Sequence, residues 1–140
     1  MILDEIIELK KEKGIDFGET YPQLLRHYKG ALRQSKLEYV VDGGTVVGFI
    51  DWLRLPEAPQ NRDFGWAEYP VQKGDYIYIL TVVSRDKKIF WELIKRVRKK
   101  NKNALYCCYH NDNKLKIWRL QNGKGIKGNL GANTNSFYRP

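Results

Sequence analysis

The sequence predicts a mixed α+β domain with a mostly antiparallel central sheet, two N-terminal helices and one crossover helix. Three observations carry this prediction. Apolar residues recur with a helical period before residue 35. Alternating or fully apolar runs, typical of strands, follow. One further helical stretch separates two of these strands, and a crossover helix joins strands that lie parallel.

The first two predicted elements are amphipathic helices. One covers residues 2–13 and ends at Gly14. The second begins at Pro22, a good first-turn residue, and runs to about Gln34. Each carries a single apolar side, which is expected to face inward.

A hairpin and a long loop follow. Residues 37–41 and 45–53 alternate as strands, and Asp42-Gly43-Gly44 between them predicts a tight turn. Residues 56–74 hold three prolines and two glycines with few apolar runs. They predict a long loop, a feature that is uncommon in small domains and often functional.

The remaining elements form a strand–helix–strand–strand series. Residues 76–83 are apolar on both faces, which is typical of a central strand covered on both sides. Ser84 or Asp86 can cap the helix that follows. Its inward stripe consists of Ile89, Phe90, Leu93, Ile94 and Val97. Two apolar strands, 104–110 and 114–120, complete the series.

These elements predict one domain over residues 1–120. Residues 121–140 form a basic tail rich in Gly and Asn, which is expected to be mobile. No apolar run approaches the roughly 20 residues of a membrane span, and the N-terminal residues are unlike a secretory signal. A cytoplasmic protein without membrane contact is therefore expected.

The net charge of +9 is unevenly distributed. Residues 1–83 hold 10 Lys/Arg against 13 Asp/Glu, whereas residues 84–120 hold 12 against 3. An anionic partner such as nucleic acid is plausible for this basic segment, and a merely solvated lysine-rich surface explains it as well. Trp91 and Trp118 are interleaved with cations, a pattern that suits single-stranded nucleic acid but equally suits aromatic packing.

The two cysteines, Cys107 and Cys108, are adjacent. On a strand they point to opposite faces, so a disulfide between them would be strained. We expect small buried thiols in a reducing compartment. Combined with His27 and His110 they match no common zinc spacing, so no metal site is predicted.

The order of elements resembles the GNAT N-acetyltransferase superfamily, in particular the short, divergent GNAT-like proteins often encoded by phages and mobile elements. The resemblance spans residues 22–120. It is carried by 37-LEYVVDGGTVVGFIDW-52, 76-YIYILTVVSRDKKIFWELIKRVRKKN-101 and 104-ALYCCYHNDNKLKIWRL-120. It implies an acetyltransferase that binds acetyl-CoA where strands 76–83 and 104–110 part. The acetyl group would pass to an amine on a small molecule or a protein, in the host cytoplasm if a phage encodes the chain.

The resemblance also assigns the residues that would bind acetyl-CoA. Backbone groups of Leu80, Val82 and Val83 would meet the pantetheine arm, and the pyrophosphate would meet Ser84, Arg85, Lys87 and Lys88. The family normally places an Arg/Gln-x-x-Gly-x-Gly/Ala loop at this junction, whereas residues 84–88 contain no glycine. Asp86 opposes a phosphate there. A short turn also replaces the helix that usually separates the last two family strands.

Four residues are catalytic candidates. Tyr109 is the nearest match to the family's proton donor for the departing thiolate. Asp51 and Glu68 are candidate bases for the amine, and His110 is an alternative base because it titrates near neutrality. Each has a structural alternative: an ion pair with Arg54 or a role at a strand end for Asp51, a solvated loop position for Glu68, sheet packing for Tyr109, and a structural or exposed strand end for His110.

Two further functions compete with acetyl transfer. The first is a catalytically inactive protein of the same fold that binds nucleic acid or a protein partner through its basic C-terminal half. The second is a virion or other structural component that uses the basic tail for assembly. The missing glycines and the charge of residues 84–120 motivate the first of these alternatives.

Overall fold

The computed structural model is a five-stranded mixed sheet with helices on both faces, which confirms the predicted fold class. It describes residues 2–14, 19–59, 73–111 and 114–120. The elements in chain order are α1 (Ile2–Glu12), α2 (Tyr21–Arg33), β1 (Leu37–Asp42), β2 (Thr45–Leu55), β3 (Tyr76–Ser84), α3 (Lys87–Lys100), β4 (Tyr106–Asn111) and β5 (Lys114–Arg119). The strands lie in the order β1-β2-β3-β4-β5. The pair β3–β4, which α3 connects, is parallel, and the other three pairs are antiparallel.

The first two helices begin and end where local chemistry favours it. Acidic residues occupy the first turn of α1 and basic residues its last turn, so both ends complement the helix dipole. Thr20 and Gln23 form a capping box at the start of α2, with Pro22 in the first turn.

The crossover helix α3 is specified by its cap and its apolar stripe. Asp86, one of the two predicted caps, accepts a hydrogen bond from the Ile89 amide at 2.9 Å. Ser84, the other, is the last residue of β3 and is buried. The predicted inward stripe of α3 is buried as expected, and three basic residues fill the last turn.

Two apolar clusters sandwich the sheet. The α3 face holds the stripe of α3, and the α1/α2 face holds the apolar sides of α1 and α2. Strand β3 contributes to both, with Ile77 and Ile79 on the α3 face and Tyr78 and Val83 on the other. The prediction of a central strand covered on both sides is thereby confirmed.

The β1–β2 turn is made by Gly43 and Gly44. Their φ angles are 60° and 80°, the left-handed values that a two-residue hairpin turn requires and that glycine adopts without strain. The predicted tight turn is therefore correct.

Some sequence predictions lie outside the described residues. These include most of the long loop predicted at 56–74, because residues 60–72 are not described, and the whole tail 121–140. The mobility of the tail and the domain boundary at residue 120 stay predictions. Within the described ranges, none of the helices has the length and apolar character needed to cross a bilayer.

Gly48 lets α3 lie close to the sheet, which generates the first testable prediction. A Cβ at this position would lie 2.6 Å from Ile89 Cγ2 and 3.0 Å from the Val83 carbonyl oxygen. We expect Gly48→Ala to lower the free energy of unfolding by about 1–3 kcal/mol, because the start of α3 must shift. Urea unfolding measures the change.

The same contact supplies the control. If the clash with Ile89 is the cause, adding Ile89→Ala should cost less in the Gly48→Ala background than in the wild type. The expected coupling energy is about 1 kcal/mol. Strictly additive losses would show that the close approach of α3 to Gly48 is not the source of the effect.

Candidate functional site

Strands β3 and β4 part within the sheet. Their ladder runs from the pair Tyr76–Tyr106 to the pair Ile79–Tyr109 and ends there. β3 nevertheless continues to Ser84, and the last two residues of β4 pair with β5 alone. The C-terminal half of β3 therefore has an edge that β4 does not cover.

A β-bulge lies where this parting begins. On the β2 side, Asp51 pairs with Thr81 and Trp52 pairs with Ile79, so the register skips Leu80. Leu80 also lies beyond the last β3–β4 pair. Leu80 consequently has no partner residue on β2 or on β4, and its side chain is only half-buried.

The direction of the backbone beyond the bulge follows from one hydrogen bond. The Arg85 amide donates to the Val47 carbonyl oxygen on β2, at 2.8 Å. Because alternate residues of a strand turn their peptide groups to opposite edges, those of Val83 also face β2. Those of Val82 and Ser84 face the side that β4 has left.

His110 lies at the base of the parting, one residue past the last β3–β4 pair. Its Nδ1 lies 2.6 Å from the Tyr78 hydroxyl oxygen, a hydrogen bond between β4 and β3 on the α1/α2 face. The two rings meet edge to face with centroids 5.5 Å apart. Tyr78 thus fixes the orientation of an imidazole that is itself half-buried.

Asp51 lies on the same face and pairs with His27 of α2. Its Oδ2 is 2.8 Å from His27 Nε2, and the two side chains are 0% and 7% exposed. The alternative ion pair with Arg54 is wrong, because Arg54 instead donates to the Gly74 carbonyl oxygen and to the side chain of Asn101. Asp51 therefore sits in a buried polar pair opposite Thr81, next to the parting.

Tyr28 extends this buried polar cluster. Burial raises the pKa of its hydroxyl well above the usual value, and the charge of Asp51 raises it further, while the neighbouring Thr81 side chain acts in the opposite direction. A protonated tyrosine hydroxyl consequently lies between Asp51 and β3, the strand that borders the parting. Lys10 and Glu19 form a 3.4 Å ion pair nearby.

Tyr109 occupies the other face. Its ring stacks on Trp118 with centroids 5.1 Å apart and an interplanar angle of 7°, and both side chains are buried in the cluster on the α3 face. Its role as a proton donor stays a prediction.

Trp118 offers no open face for a nucleic acid base, and Trp91 is half-buried against Phe90. The structure therefore gives no support to the stacking pattern proposed for single-stranded nucleic acid.

The junction predicted to hold a pyrophosphate contains both buried and exposed side chains. Ser84 is buried, whereas Lys87 and Lys88 are exposed. Arg85 is bound by two carboxylates, Asp42 at 2.9 Å and Asp86 at 3.2 Å. Two lysines thus remain at the start of α3 for an anionic ligand.

The remaining predicted residues add little to this site. Glu68 lies outside the described residues. Both cysteines are free and buried, and burial raises the pKa of Cys108 to about 12 and that of Cys107 still further. Among the described residues, no group of three or more His, Cys, Asp or Glu side chains is arranged to hold a metal ion.

Sequence reasoning missed three side chains that the fold brings to this site: His27, Tyr78 and Thr81. His27 follows Leu24 by three residues and precedes Ala31 by four, so the helical period of α2 places it inward. That spacing could have identified a buried histidine. Nothing in the sequence of β3 marks Tyr78 or Thr81 among its neighbours.

Comparison with known proteins supports the fold. A crystal structure of a presumed acetyltransferase from Staphylococcus aureus Mu50 matches this chain with a TM-score of 0.51 at 21% identity, over 76% of this chain and 72% of that chain. At this identity the likeness shows a shared fold alone. No protein-family model matches the sequence, and no curated protein matches it.

The buried His27–Asp51 pair generates a prediction on stability. Asp51→Ala should lower the free energy of unfolding by about 3–5 kcal/mol, because it leaves His27 buried without its carboxylate partner. Asp51→Asn, which keeps the shape and a hydrogen-bonding oxygen, should cost less. Urea denaturation of the three proteins tests the order.

An exposed ion pair provides the comparison. Glu92 and Arg96 of α3 lie 3.1 Å apart with side chains 41% and 38% exposed. Glu92→Ala should therefore cost no more than about 0.5 kcal/mol. Equal losses for Asp51→Ala and Glu92→Ala would contradict the importance of the buried pair.

The raised pKa of Tyr28 predicts a loss of stability at alkaline pH. An unfolded tyrosine ionises near pH 10, whereas buried Tyr28 keeps its proton in the folded chain. The folded state then binds more protons than the unfolded state, so the free energy of unfolding falls as the pH rises above about 10. Tyr28→Phe should make this fall shallower in urea titrations. Tyr106→Phe, at a half-buried position outside the cluster, is the control, and equal slopes in both variants would contradict the prediction.

Proposed function

We propose that the protein is a GNAT-type N-acetyltransferase that moves an acetyl group from acetyl-CoA to an amine. The parting of β3 from β4 beside the Leu80 bulge carries this proposal. An uncovered strand edge inside a sheet offers peptide groups to an amide-containing chain such as pantetheine, in the way that an added strand would pair. The fold shared with a presumed acetyltransferase supports the same activity.

Peptide groups of β3 would hold the donor. Those of Val82 and Ser84 face the uncovered side and suit the amides of the pantetheine arm. The amide of Leu80, the residue at the bulge, is our candidate for the thioester carbonyl oxygen, where a backbone N–H stabilises developing negative charge. Val83 is the third predicted contact. Because its peptide groups face β2, it would not bind the arm directly and would only help to hold β3 in place.

His110 would take the proton from the attacking amine. With Nδ1–H donating to the Tyr78 hydroxyl oxygen, Nε2 carries the lone pair that accepts this proton. Tyr78 is then a positioning residue, because it fixes the tautomer and the ring orientation. His110 is favoured over Asp51 because its ring is half-buried at the parting, although Nε2 itself is covered, whereas Asp51 is fully buried and paired with His27.

The thioester of acetyl-CoA supplies an activated acyl group, so the protein needs only to position the reactants and move protons. Tyr109 is kept as the candidate that returns a proton to the thiolate, from the opposite face of the strand that carries His110. Arg85, Lys87 and Lys88 remain the candidate contacts for the phosphates. The acceptor is an amine on a small molecule or a protein.

Binding of acetyl-CoA tests the proposal directly. A ligand at 100 times its dissociation constant stabilises the folded state by about 2.7 kcal/mol, which is a measurable rise in the midpoint of thermal unfolding. We expect such a rise with millimolar acetyl-CoA and release of free CoA thiol when a panel of amines is added. Neither stabilisation nor thiol release would contradict the activity.

Variants of β4 separate binding from proton transfer. His110→Gln should lower the rate of thiol release by about 100-fold or more and remove one limb of its pH profile, while the thermal shift with acetyl-CoA stays unchanged. Tyr109→Phe tests the other candidate in the same assay. A rate that survives both substitutions would rule out both roles.

A further inference from the structure

The start of α3 is occupied by the protein's own carboxylate. Asp86 accepts a hydrogen bond from the Ile89 amide at 2.9 Å, and this hydrogen bond lowers the pKa of Asp86, which favours the ionised carboxylate. Arg85 is held between Asp86 and Asp42. A diphosphate placed at this helix start would therefore meet a negative charge and an arginine that already contacts two carboxylates.

Positive charge is instead presented along the outer side of α3. Lys88, Lys95 and Lys99 are exposed on the side of the helix opposite its buried stripe, and Lys87 is exposed beside Lys88 in the first turn; we call these four residues the lysine stripe. None of the four has an ion-pair partner within the described ranges. Two other cations of α3 are compensated, because Arg96 pairs with Glu92 and Lys100 pairs with Glu38.

The lysine stripe begins where β3 and β4 part. α3 starts three residues after the end of β3, so Lys87 and Lys88 lie at the mouth of the parting. The 14 residues of α3 extend the stripe away from that mouth over about 20 Å. A macromolecule bound along the stripe is thus placed to insert a flexible arm between the two strands.

We propose that the preferred acyl donor is a thioester on the phosphopantetheine arm of an acidic carrier protein, which docks on the lysine stripe. This inference rests on the proposed acetyltransferase function and names its donor. A carrier-bound arm contains one phosphodiester and no diphosphate, so it does not need the helix start that Asp86 occupies. The acidic surface of the carrier complements the uncompensated lysines.

The reaction stays balanced with this donor. The amine nitrogen attacks the thioester carbonyl carbon, the C–N bond forms and the C–S bond breaks. The amine proton passes to His110, and the thiolate of the carrier's arm leaves and takes a proton from Tyr109, the candidate donor. No oxidant or further reactant is required.

A nucleic acid is a weaker match to the same surface. Trp91, the aromatic residue of α3 nearest to the stripe, is half-buried and packs edge-on against Phe90 with centroids 5.0 Å apart. The stripe therefore offers phosphate contacts without an open ring on which a base can stack. The parted strands beside it fit an arm that carries a thioester and have no counterpart in nucleic acid binding.

Calorimetric titration with one acidic acyl carrier protein, in its apo, holo and acetylated holo forms, tests the inference. The acetylated holo form should bind about tenfold or more tightly than the apo form and than acetyl-CoA, with an affinity that falls as salt is raised. The double variant Lys87→Glu/Lys88→Glu should lose about tenfold or more of this affinity. The control Lys11→Glu/Lys29→Glu changes the net charge equally on α1 and α2 and should have little effect.

Asp86→Asn gives an independent readout, because asparagine caps a helix as well as aspartate does. It should raise the affinity for acetyl-CoA several-fold and leave that for S-acetylpantetheine, which lacks the diphosphate, unchanged. If acetyl-CoA binds the wild type as tightly as the acetylated carrier does, or if Asp86→Asn has no effect, the inference is overturned and the acetyltransferase proposal stands. Equal binding of apo and holo carrier, or of a DNA duplex on the same lysines, also overturns it. Failure of every thioester to bind overturns both.

Discussion

The structure depends on one break in pairing, at the point where β3 stops being hydrogen-bonded to both of its neighbours. Up to Ile79 the strand lies between β2 and β4, and from Leu80 onward its register with β2 has shifted and β4 has left. Backbone groups that lose a strand partner must find another, since unpaired peptide groups are costly inside a protein. Here the polar residues of the α1/α2 face, His27, Asp51 and His110, gather beside that edge. A ligand that pairs with backbone has its natural place there.

The elements around the break are held firmly. Gly48 allows α3 to approach the sheet beside Val83, so the helix start cannot move freely relative to the strand edge. Arg85 ties the β1–β2 turn to the same junction through Asp42, and its amide binds β2. At the other end of β3, Arg54 joins the carbonyl of Gly74 to the turn after α3. Because the edge is carried by strands and not by loops, its geometry is set by the core, which favours a preorganised site.

Most of the fold could be predicted because burial imposes a period on the sequence. The helix predicted at residues 2–13 is α1 (Ile2–Glu12), and the crossover helix between apolar strands fixed the one parallel pair. The bulge at Leu80 could not be predicted, because β3 is apolar on both faces and no change of pattern marks a shift of register.

The His27–Asp51 pair joins a helix to a strand 24 residues away, so only packing reveals it. The expected partner of Asp51, Arg54, lies three positions along the strand and therefore on the opposite face, which the period of two already excludes.

The junction after β3 shows how a small change in capping redirects recognition. Ser84 ends the strand and is buried, so the cap of α3 falls to Asp86, whose charge suits the helix dipole better than a serine would. The same carboxylate takes the amide and the arginine that an anionic ligand would otherwise use. Stability of the helix and binding of a diphosphate are then in competition for one set of donors. With that competition decided in favour of the helix, the donor that we propose would gain its affinity from the uncovered edge of β3 and from the lysines along α3, that is, from backbone pairing and from long-range charge.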